Sequence, residues 1–153
     1  MRVKSCSLAS SGMQTRVTFG LSEMIIEPPD TVVMKPRGDY DGETATMMME
    51  ALITWAQAWP FVLLLMDLTY VGAISPAARH ALTSNGHRLP PRALAIHGGS
   101  FTVRVLSQMM DRASWLRGSR NRWVWHAPDE ASARAWLDEK RKVLAGGLRP
   151  SER

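Results

Sequence analysis

The chain has 153 residues, 45% of them hydrophobic and 22% charged, which suits one globular domain with its own core and excludes a disordered or fibrous chain. Cys6 is its single cysteine, so an internal disulfide, a multi-cysteine metal site and a Cys-x-x-Cys redox pair are excluded, and a reducing cytoplasm is the expected setting. The net charge of +5 is uneven: residues 1–100 carry 8 Lys or Arg against 8 Asp or Glu, and residues 101–153 carry 11 against 6.

At the N-terminus, "MRVKSCSLASSGM" is basic but lacks the apolar core of a signal peptide, and residues 1–15 are expected to be a loose tail. The domain is expected to span residues 16–146, with 147–153 as a C-terminal tail. "VTFGLSEMII" at 17–26 is β-branched and aromatic and stops at Pro28-Pro29-Asp30, a turn signal, so it predicts a strand paired in a hairpin with "TVVMKP" at 31–36. After Gly42, the residues Ala45, Met48, Met49, Leu52, Ala56 and Trp59 recur at helical spacing up to Pro60 and predict an amphipathic helix.

"FVLLLMDL" at 61–68 is apolar without alternation, as a strand covered on both faces must be, and is expected at the centre of the sheet. Its apolar run is far shorter than the roughly 20 residues that span a bilayer. Ser75 and Pro76 predict a helix N-cap and first turn, with Asn85-Gly86 as the stop. "RALAIH" at 92–97 predicts another buried strand, Gly98-Gly99-Ser100 a turn, and 101–117 a helix capped by Ser100 and ended by Gly118. "RWVWHA" at 122–127 alternates Trp123 and Trp125 against Val124 and His126, and Pro128-Asp129 opens a last helix to about Leu144. This order predicts an α/β domain: a mixed sheet of about five strands, built from an N-terminal hairpin and largely parallel βα units, layered with four helices.

Asp67-Leu68-Thr69 at the end of the apolar strand, Ile74-Ser75-Pro76-Ala77-Ala78-Arg79 opening the next helix, and "ARAWLDEKR" at 133–141 resemble the STAS superfamily, and more closely its SpoIIAA-like (STAS/SEC14-like) bacterial branch. The resemblance covers roughly residues 17–145. It implies a non-enzymatic regulatory module that works by protein–protein interaction, in the manner of anti-sigma-factor antagonists, or alternatively a SEC14-like carrier or sensor of a small hydrophobic ligand. In the antagonists the loop after the central strand reads Asp-Ser-Ser-Gly and carries a phosphorylated serine. Here that loop is Thr69 to Ser75 without the motif, and Ser75 is the nearest hydroxyl and the candidate phosphoacceptor.

Open α/β sheets bind at the carboxyl ends of their strands, so the expected partner-binding rim comprises Asp67, Thr69, Tyr70, Ser75, Arg79, His97 and Ser100. Two alternatives are purely structural: Asp67 capping its own loop, and Ser75 capping its helix. His97-Gly98-Gly99-Ser100 could present backbone N–H groups to an anion, although two glycines without a Gly-x-Gly-x-x-Gly frame are the ordinary mark of a tight strand-to-helix turn. The carrier alternative places an apolar pocket between helices 43–59 and 101–117, lined by Met48, Leu52, Trp55, Met109 and Ala113; Trp55, Trp59 and Trp115 could also serve an oligomer face. Arg104, Arg112, Arg117, Arg120 and Arg122 form a candidate basic face with Trp115 and Trp123 nearby, for which specific nucleic-acid binding is not expected because no recognition motif accompanies it. His80, His87, His97 and His126 are scattered, so neither metal, cofactor nor catalytic triad is expected.

Overall fold

In the computed structural model, which describes residues 9–11 and 14–150, the elements are β1 (Ala9–Ser11), β2 (Gln14–Phe19), β3 (Ser22–Glu27), β4 (Thr31–Lys35), β5 (Gly38–Tyr40), α1 (Gly42–Ala56), β6 (Val62–Asp67), β7 (Val71–Ile74), α2 (Pro76–Ser84), β8 (Arg92–His97), α3 (Phe101–Leu116), β9 (Arg122–His126) and α4 (Glu130–Ala145). Seven strands form one sheet in the order β1-β2-β3-β4-β6-β8-β9, antiparallel up to β4 and parallel from β4 to β9. β5 and β7 make a separate parallel pair at the edge where the parallel strands end.

The α/β class, the four helices and the central position of β6 agree with the sequence reading; the strand number is higher. The expected strand 17–26 is two strands, because the chain reverses at Gly20, whose φ of +64° only glycine adopts without strain, and Phe19 pairs with Ser22 across the turn. Inside the segment expected to be a loose tail, β1 pairs with β2, while residues 1–8, 12–13 and 151–153 lie outside the described chain. The β5–β7 pair carries only three- and four-residue strands, too short to show a period in sequence.

β6 reads as a continuous apolar run because both its faces are covered. Val62 and Leu64 join the core formed with α1 and α2, whereas Leu63 and Leu65 join the core under α4. β9 obeys the same parity: Val124 packs toward α3, and Trp125 stacks on Trp136 of α4 with ring centroids 5.9 Å apart. Three helices therefore cover one face of the sheet and α4 covers the other. All four helices begin at a side-chain cap that accepts a backbone N–H: Asp41, Ser75, Ser100 and Asp129.

Candidate functional site

The carboxyl ends of β6 and β8 bring Asp67 and His97 together, in register across the parallel pair. Asp67 is buried, and its Oδ1 accepts the Thr69 N–H at 2.9 Å and the Thr69 hydroxyl at 2.5 Å. Burial pushes the Asp67 carboxyl up, but the Thr69 hydroxyl and amide, with His97 and Lys35 nearby, outweigh it and hold the group below the usual carboxylate range. His97 is also buried; its Nε2 lies 3.9 Å from Asp67 Oδ1, an electrostatic contact too long for a hydrogen bond, and finds no hydrogen-bond partner among the described residues. Asp67 and His97 thus form the floor of the rim, not its exposed face.

The two serines of the rim act as caps. Ser75 Oγ accepts the Ala78 N–H at 3.0 Å, and Ser100 Oγ accepts the Val103 N–H at 3.2 Å. Arg79 is half-buried on α2, with its Nε buried and unpartnered among the described residues. The Gly98-Gly99 turn is dictated by packing: a Cβ at Gly98 would stand 2.4 Å from Thr69 Oγ1 and 2.8 Å from the Thr69 amide nitrogen, and φ there is +77°. Beside the exposed Thr69 and Ser100, the rim also exposes large apolar side chains. Tyr70 is 64% accessible with the Arg37 guanidinium 5.2 Å above its ring, and Phe101 is 74% accessible. Leu21, 77% accessible, stands so that a Cβ at Gly38 would lie 3.5 Å from its Cδ1, and the Gly38 N–H donates to the Tyr70 carbonyl, so Leu21 belongs to the same edge.

An apolar cavity of about 140 Å³ lies under the helices on the three-helix face of the sheet. Of the five residues expected to line a pocket, Leu52 does so; Met48, Trp55, Met109 and Ala113 do not. The reason is topological. α2 packs against both α1 and α3, so the chamber is roofed by all three helices instead of a pair. α3 is also rotated by one residue, about 100° of helix, relative to the expected lining: Met110 and Ser114 face the cavity, while Met109 is 62% exposed. Met48 is fully buried and receives the Tyr40 hydroxyl at 3.3 Å, and Trp55 packs on Trp59 with centroids 5.8 Å apart.

The expected basic face divides. Arg104, Arg112 and Arg120 are exposed, Arg120 lying 4.5 Å above the Trp115 ring. Arg117 donates to Thr83 Oγ1 and Ser84 Oγ, each at 2.9 Å, tying α3 to α2. Arg122 points inward, its side chain only 6% accessible and paired with Asp111. It lines the cavity together with its register partner Arg92, which is 3% exposed. Sequence reasoning missed Arg92 altogether; the available signal was an arginine at the first position of each of two predicted strands, which in-register parallel pairing sets side by side. Ser107 Oγ lies 3.1 Å from His126 Nε2, a second polar pair joining α3 to the sheet, and burial holds the His126 imidazole below its ordinary range against the opposing pull of Asp111.

No group of three His, Cys, Asp or Glu placed to hold a metal occurs among the described residues, and none of their helices is long and apolar enough to cross a membrane. No family model and no curated protein matches the sequence. Among solved structures the chain is similar to an uncharacterized protein of the DUF3478 family with a SpoIIAA-like fold from Shewanella loihica PV-4, at 17% identity and a TM-score of 0.54, over 84% of this chain and 98% of that one.

Proposed function

Starting from that SpoIIAA-like fold, we propose that the protein is a non-enzymatic regulatory module that binds another protein through the rim at the carboxyl edge of its parallel strands. The observation that carries this reading is the exposure of Leu21, Tyr70 and Phe101 together on that edge. Aromatic side chains of this kind anchor protein interfaces. The non-enzymatic part is supported by Asp67, Ser75 and Ser100, each bound to its own loop or helix, while His97, whose Nε2 is without a hydrogen-bond partner among the described residues, is buried beneath the rim. A Tyr70→Ala/Phe101→Ala double variant, whose changed side chains are exposed, should fold as the wild type does and lose the partner that the wild type captures by cross-linking in its native cytoplasm. Equal capture by both proteins would refute the rim.

A second reading, a carrier or sensor of a small hydrophobic ligand, is favoured by the cavity. Its lining is almost wholly apolar, so an apolar occupant would gain by removing that surface from water. Organic extraction of natively purified protein followed by mass spectrometry should release such a molecule at near-stoichiometric yield; an empty extract counts against this reading.

A further inference from the structure

The sheet-ward wall of the cavity changes character along its length. Toward the carboxyl ends of the strands it is made by Met66, Leu68 and Ile96, and toward their amino ends by Arg92 and Arg122. Arg92 is the more demanding group. It is 3% exposed, and its hydrogen bonds go to the Pro90 carbonyl at 3.2 Å and to Ser119 Oγ at 2.5 Å, both neutral. Among the described residues no carboxylate pairs with it. Burial, and then the adjacent Arg122 guanidinium, push Arg92 down to about 9, which still leaves it a cation at neutral pH.

Arg122 shares Ser119 with Arg92, donating to the Ser119 carbonyl, and has Asp111 as its counter-ion. Two guanidiniums and one carboxylate therefore leave this end of the chamber with one uncompensated positive charge. A buried charge without a partner is costly, and a guanidinium offers five N–H donors in a fork that matches a carboxylate.

We propose that the Arg92–Arg122 end of the cavity is a carboxylate site, and that the chamber takes a small apolar monoacid, aromatic or short-chain, with its body among Leu82, Leu94 and Met110. This rests on the second reading above, in which the cavity houses a ligand. A single negative charge neutralises the surplus, whereas a dianionic phosphate would overshoot it. The volume suits a small ring, since apolar cavities of about 150 Å³ take up benzene. Asp111 and Arg122 line both the chamber and an open outer groove of about 430 Å³ beside Arg112, Trp115 and Leu116, so this end of the chamber lies close to solvent.

Benzoate and its uncharged near-isostere benzamide separate the ideas. Titrated calorimetrically into the full chain, benzoate should bind about tenfold or more tighter than benzamide, the discrimination expected of a charge-assisted buried hydrogen bond. Arg92→Gln should abolish the preference and Arg92→Lys should keep most of it. Should Arg92→Gln fail to fold, NMR of the wild-type arginine side chains decides, because benzoate must shift the Nε–H resonances of Arg92 and Arg122 and not those of exposed arginines alone. Benzoate binding no tighter than benzamide, or with only exposed arginines responding, overturns the carboxylate site and leaves the ligand chamber standing. If neither compound binds and organic extracts are empty, both fall.

Discussion

Asp67 holds the edge in place through its own loop. Its carboxylate receives both the amide and the hydroxyl of Thr69, so Asp67→Ala leaves a turn amide without its acceptor and should lower unfolding stability by about 2 kcal/mol. The carboxyl's folded pKa lies below its ordinary value of 3.8. Its contribution is therefore fully present above about pH 4 and is lost as pH falls through the lower folded value. Urea unfolding at neutral pH and at about pH 3 should show the gap between wild type and Asp67→Ala narrowing in acid. A gap that is small at neutral pH would return Asp67 to the recognition role its position suggests.

At the scale of elements, α3 and α4 contrast. Both have 16 residues, yet α3 buries only Val103 and Ser107, and Val105, Met109, Trp115 and Leu116 remain exposed along it. α4 is fastened to the turn region between β3 and β4 by Arg134 on Glu27 and by Arg141 on Asp30 and Thr31. Amide hydrogen exchange should accordingly be faster in α3 than in α4. Arg141→Met should cost about 2 kcal/mol, because Asp30 would lose its counter-ion while 8% accessible; the effect is less than for a fully buried pair because Arg141 is itself 36% accessible. Thermal unfolding of that variant, unchanged from wild type, would show that α4 is held by its apolar contacts alone.

For the molecule as a whole, the cavity is the feature that separates a packed core from a binding chamber. Leu82→Phe adds volume from α2 into the chamber and should exclude any small ligand, read as loss of extractable ligand with the urea midpoint held or raised. A loss of stability instead would mean that the roof of α1, α2 and α3 cannot absorb the larger ring.

Local signals in the sequence determined the last three helices and their caps, because Ser75, Ser100 and the glycine stops act within a few residues of themselves, whereas α1 is capped by Asp41, which was not singled out, and ends at Ala56, short of the expected Trp59. Local signals also placed β6 at the centre, since a strand apolar at every position can only be covered on both faces. The split at Gly20 was present in the sequence, but an apolar run on either side concealed it. Tertiary structure alone decided the site. Which face of α3 meets the sheet depends on α2 standing between α1 and α3, and one residue of helical phase exchanged Met109 and Ala113 for Met110 and Ser114. Arg92 and Arg122 each look like an ordinary strand-opening arginine in sequence; they become a buried cationic pair because parallel register sets them side by side, and sheet and helices then close over them. Burial of a charge is a property of its neighbours, and those neighbours arrive from distant segments of the chain.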